Sequence, residues 1–89
     1  MIKEFVAEVV GTFVFISVIM RHAGKPFGAY TIGLVLAACI VAFSAFGNAH
    51  LNPAVSFAFM TKDGMDPMKL VSLITAQALG GYAAATIGF

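Results

Sequence analysis

Asn52-Pro53-Ala54, preceded by His50-Leu51 and followed by Val55, is the stretch of this 89-residue chain whose residue types and spacing could act on a passing molecule. Asparagine is a preferred N-cap, and proline at the first helical position has its φ already set and no N–H to leave unpaired. A helix is therefore predicted to start at Asn52 and run from Pro53 to about Thr61, where Lys62, Asp63 and Gly64 end it. At 1.5 Å per residue it covers roughly 13 Å, under half of a hydrocarbon core of about 30 Å. A helix N-terminus carries unpaired N–H groups and about half a positive charge. At mid-membrane such an end penalises a proton or a sodium ion and favours oxygen lone pairs, so water or a polyol can pass. If the Asn52 side-chain oxygen caps the helix, its NH2 group stays free to orient a passing oxygen and interrupt a proton-conducting chain of waters. The competing reading is an ordinary cap on an interfacial helix, and the broken apolar context weighs against it.

That context is a membrane. The chain is 61% hydrophobic and only 10% charged, where globular domains carry about a quarter charged residues. No charge occurs from Pro26 to Thr61 or after Lys69. One soluble core of this size could not hide so much apolar surface. The net charge of +1 offers no basic patch for nucleic acid, and the single Cys39 excludes an internal disulfide. No phosphate loop, no nucleophile with a base and no cluster of metal ligands is present, so neither an enzyme nor a cofactor is expected. His22 and His50 are too far apart to be ligands on one helix face.

The elements that must position the Asn52 stretch follow from the apolar runs. Three transmembrane helices are predicted, at about 2–20, 30–46 and 67–89, with the half-helix at about 53–61, giving an all-α, multi-pass integral membrane protein. The first is expected to be retained rather than cleaved, because Glu8 interrupts its apolar run and no small-residue cleavage site follows. Glu8 either snorkels to the nearby interface or has a buried structural role, since a carboxylate at membrane depth needs a partner or water. Lys25-Pro26-Phe27-Gly28 forms the turn to the second helix, where Gly33, Ala37 and Ala45 share a face suited to close helix contact. Gly47-Asn48 then breaks the pattern, and the run to Met60 is too short to cross again, so the chain must re-enter. Backbone exposed at bilayer depth is tolerated only inside protein or beside a wet cavity. Asp66-Pro67 repeats the cap-and-proline start. The last helix carries Ala76, Gly80, Ala84 and Gly88 at four-residue spacing, with Gln77 beside them as its only amide.

Ala7-Glu8 with Gly11-Thr12, then Gly33, then the His50–Val55 stretch, then Ala76-Gln77 and Gly80 together resemble the first half of the major intrinsic protein family, the aquaporins and glycerol facilitators. The resemblance covers essentially the whole chain. It implies half of a fold with six membrane helices and two half-helices, built from two inverted repeats that each bring one Asn-Pro-Ala box to the pore centre. On that resemblance Asn52 is the pore-centre donor, and Pro53 and Ala54 meet the opposite half-helix tip. His50 lies on the narrow path just before the box. Glu8 and Gln77 brace the re-entrant loop, while Gly11 and Gly33 join the packing residues. The residue before Gly33 contributes to the outer constriction of the family and is often aromatic; here it is Ile32, which implies a less sharply defined constriction. Val55 follows Ala54 as in a first box, where the second box is normally followed by an arginine.

The resemblance thus implies passive passage of water, or of a small neutral solute such as glycerol, across the lipid bilayer. One repeat cannot enclose a pore. The partner expected is a second repeat, either a missing C-terminal half or an inverted second copy. Lys3, Lys62 and Lys69 on one side oppose Arg21 and Lys25 on the other, a weak bias that permits both orientations. A sequence that stops within apolar residues at Phe89 favours a longer gene product. The rival from another class is a non-conducting membrane module or a truncated remnant.

Overall fold

The apolar runs fold as helices whose ends are set by the residues flanking them. A computed structural model describes residues 2–89, in which α1 (Ile2–His22), α2 (Gly28–Phe43), α3 (Pro53–Asp63) and α4 (Pro67–Ile87) follow one another without a strand. Glu4 lies in the first turn of α1 and Arg21 and His22 in its last, each on the side that the helix dipole favours. The same device starts both later helices. Asn52 Oδ1 accepts from Ala54 N (2.7 Å) before Pro53, and Asp66 Oδ1 accepts from Met68 N (2.9 Å) before Pro67. Gly64, left-handed at φ 75°, ends α3 with its N–H on Met60 O.

Boundaries differ from expectation at the helix ends. α1 takes in Arg21 and His22 beyond the expected residue 20, and α3 reaches Asp63 rather than Thr61. α2 stops at Phe43 instead of 46, although the apolar run continues. Ser44 ends it, placing its N–H on Ile40 O and its hydroxyl on Val41 O, and Phe46 N then turns back to Phe43 O. α4 closes at Ile87 because Gly88 is extended, not helical.

α1 is the central element. It packs along α4 and against α2, while α3 packs on α4. The α1–α4 seam is a contact of backbones. A Cβ on Gly80 would lie 2.5 Å from the Val9 carbonyl oxygen and 3.0 Å from Phe13 N, which only glycine avoids. Ala76 and Ala84 are buried on either side of it, and Gly88 continues the line beside the Ser17 hydroxyl. Gly33 behaves otherwise. It is exposed, with nothing within 4 Å of where a Cβ would lie, and Ala37, Ala38, Ala42 and Ala45 are exposed too. The small-residue faces expected on α2 therefore pack on nothing within this chain, because α2 meets α1 elsewhere, burying Gly28 and Cys39.

α4 is long and apolar enough to cross a membrane by itself. α2 is apolar but has 16 residues, about 24 Å of helix. α1 has 21 residues and includes Lys3, Glu4, Glu8 and Arg21. The segment between α2 and α3 does not loop outward. Ala49, His50 and Leu51 are buried, Leu51 to 2% exposure, and a Cβ on Gly11 would meet the Leu51 side chain at 2.6 Å. Gly11 is the notch in α1 that admits this loop.

Candidate functional site

The loop from Gly47 to Asn52 carries backbone amides into the protein interior, where an unpaired N–H is costly. Glu8 receives them. Its Oε2 accepts from His50 N (2.8 Å) and its Oε1 from Leu51 N (2.9 Å). Ala49 and Leu51 hold left-handed φ values of 52° and 59°, conformations that cost non-glycine residues about 1–3 kcal/mol each. Successive N–H groups in such a turn form a concavity for an anion, and here the carboxylate of Glu8 fills it. Glu8 is 1% exposed, so it is a buried residue and does not snorkel.

A second layer extends the anchor across the molecule. Gln77 Nε2 donates to Glu8 Oε1 (3.1 Å) and to Ser56 Oγ (2.8 Å), and Ser56 Oγ lies 2.8 Å from His50 Nδ1. The His50 ring stacks on Phe59, with centroids 5.0 Å apart and planes 7° from parallel. One connected network thus ties α1, the loop, α3 and α4. Ser56, fully buried, was not singled out in the sequence, although it is the only hydroxyl in the apolar part of α3 and stands one turn after Asn52. Phe59 and the left-handed Ala49 and Leu51 were likewise missed. Ala and Leu give no local signal for positive φ.

What the network holds in place is the tip of α3. Asn52, Pro53, Ala54 and Val55 are all exposed. With Asn52 Oδ1 used by Ala54 N and Ser56 N on Asn52 O, the tip still presents the Asn52 NH2 group and the Val55 N–H. Two grooves approach it. One, about 440 Å³, opens among Asp63, Asp66 and Lys69 at the α3–α4 turn; the other, about 350 Å³, is lined by Asn52, Val55, Leu36 and Ile40. Asn48, His50 and Phe59 border both. These three residues thus join a charged groove at the α3–α4 turn to a second groove at the Asn52 tip, the two together forming a furrow beside His50. Ile32, half-buried on α2, borders neither groove, so the chain does not bring it to the other residues named from the sequence.

The profile of the major intrinsic proteins matches residues 1–88. This chain belongs to the major intrinsic protein family. Members of the family are integral membrane channels, not enzymes. The lens fiber major intrinsic protein of Ovis aries is 33% identical over 88 residues, covering 94% of this chain and 34% of that protein. Aquaporin-9 of Mus musculus is 32% identical over 98 residues, 98% of this chain and 33% of that protein. The probable aquaporin NIP7-1 of Arabidopsis thaliana is 31% identical over 97 residues, again 98% of this chain and 35% of that protein. This major intrinsic protein chain thus spans about a third of the length of the curated relatives it matches. No solved structure matches it significantly.

Proposed function

We propose that the chain is half of a channel that lets water and small neutral solutes such as glycerol cross a bilayer passively and excludes ions at the α3 tip. In this reading α1, α2 and α4 span the membrane, and α3 is a re-entrant half-helix whose N-terminus stands near the midplane. The observation that carries the reading is the exposed tip with two uncommitted donors, Asn52 NH2 and Val55 N–H, at the end of a furrow and fixed from behind by Glu8. Donors and the positive end of a helix dipole accept the oxygen of water or an alcohol and oppose a cation. One repeat cannot enclose a pore, so a second repeat must complete it. That repeat is a missing C-terminal half or an inverted second copy of this chain.

Osmotic shrinkage of proteoliposomes tests the proposal. With a closing repeat in place, water efflux exceeds that of empty vesicles, and Asn52→Asp lowers it while raising cation leak, because a negative charge replaces a donor at the constriction. Parent-like flux and parent-like ion exclusion in Asn52→Asp would remove Asn52 from the pore. The 89-residue chain by itself separates the two partners: fast shrinkage means that copies pair, and shrinkage at the empty-vesicle rate, with folded insertion confirmed, means that the second repeat lies elsewhere.

A further inference from the structure

The buried network has a direction, and the direction reaches the furrow. It begins at Glu8, whose two oxygens both face N–H donors and act as acceptors. Gln77 must therefore turn its NH2 toward Glu8, and the second hydrogen of that group goes to Ser56 Oγ. Ser56 is then an acceptor from Gln77 with its own hydrogen still to place. The usual outlet on a helix is the carbonyl four residues back, taken here by Thr31, Thr61, Thr75 and Thr86. Ser56 makes no such bond to Asn52 O. Nor does it reach Gln77 Oε1, which is buried without a partner. The one acceptor left within reach is His50 Nδ1 at 2.8 Å. The opposite assignment, with a hydrogen on Nδ1, would strand a hydroxyl hydrogen at a fully buried atom.

We infer that Ser56 is a positioning residue: it ends a one-way chain of donors anchored on Glu8 and fixes His50 as the Nε2–H tautomer, whose free N–H faces the furrow. His50 is buried, at 8% exposure for the whole residue, borders both grooves and makes no hydrogen bond through Nε2. Stacking on Phe59 fixes its plane. The furrow then holds a ring donor before the Asn52 NH2, so an acceptor oxygen moving along it meets two donors in turn. That a permeating oxygen uses the His50 donor rests on the channel reading; the tautomer does not.

Nitrogen-15 solid-state NMR of bilayer-reconstituted, histidine-labelled protein tests this, with His22→Gln leaving His50 as the only histidine. The expected spectrum has a hydrogen-free Nδ1 in contact with the Ser56 hydroxyl proton, and a protonated Nε2 that exchanges magnetisation with water. Ser56→Ala should turn the single tautomer into a mixture, and Ser56→Thr should restore it. A protonated Nδ1 in the unsubstituted network overturns the proposal whether or not Ser56→Ala folds. An unchanged tautomer in folded Ser56→Ala removes the positioning role, and a Nε2–H without water contact removes the furrow-facing donor. Vesicle water flux is read separately, so a non-conducting protein with the expected spectrum counts against the channel reading and not against the tautomer.

Discussion

Glu8 is the residue on which the loop geometry turns, because three donors meet at its carboxylate: His50 N, Leu51 N and Gln77 Nε2. Glutamine at this position keeps the shape but offers an NH2 where the carboxylate offers an oxygen. Glu8→Gln therefore sets a donor against at least one buried donor, and leaving such a group unpaired costs about 1–3 kcal/mol. Its thermal unfolding in detergent should move several degrees below that of the parent; an unchanged transition would mean that water, not Glu8, satisfies the loop. The sequence made Glu8 and Gln77 conspicuous because polar residues are rare in apolar runs. It could not pair them, since they are 69 positions apart and only the fold brings them to 3.1 Å. Ser56 was hidden for the opposite reason: a serine near a helix start draws no notice until its hydroxyl is found without the usual backbone acceptor.

Among the elements, the contact between α1 and α4 decides the packing, and adjacent glycines provide an internal control. A Cβ at Gly80 would press on the Val9 carbonyl and Phe13 N, which are backbone atoms that cannot step aside. At Gly81 a Cβ meets nothing within 4 Å. Gly80→Ala should thus destabilise by about 1–3 kcal/mol, the usual cost of overpacking, whereas Gly81→Ala should be neutral or stabilising by up to about 1 kcal/mol through helix propensity. Unfolding of both variants in detergent, compared with the parent, checks the contrast; equal effects would place the seam elsewhere. The starts of α3 and α4 were legible because an Asx residue before proline is a local signal complete within two positions. The end of α2 was not. Its apolar run continues through Phe46, and only the backbone turn after Phe43 stops the helix. The α4 stripe could be read from spacing, yet the equally spaced Gly33, Ala37 and Ala45 remain unpacked, since periodicity marks a face without naming its partner.

As a whole the molecule presents more apolar surface than its own core uses. Phe27, Tyr30, Leu34, Val41 and Tyr82 are each more than 70% exposed, and large exposed apolar areas mark lipid or protein contact. The chain spans about a third of its relatives' length, and in the proposed channel a second repeat closes the furrow. In the proposed channel α3 re-enters, so that one end of this short helix lies deep in the bilayer and the other at the surface. Depth measurement by spin-label EPR tests this directly, using Ala54→Cys or Lys62→Cys in a Cys39→Ala background, which spares the Asn52 cap. Eight residues of helix separate the two positions, a rise of about 12 Å. Re-entry places a label at 54 roughly 10 Å deeper than one at 62, while still reached by a water-soluble relaxing agent through the furrow. Equal, shallow depths at both positions would contradict it, making α3 an interfacial helix with an ordinary cap.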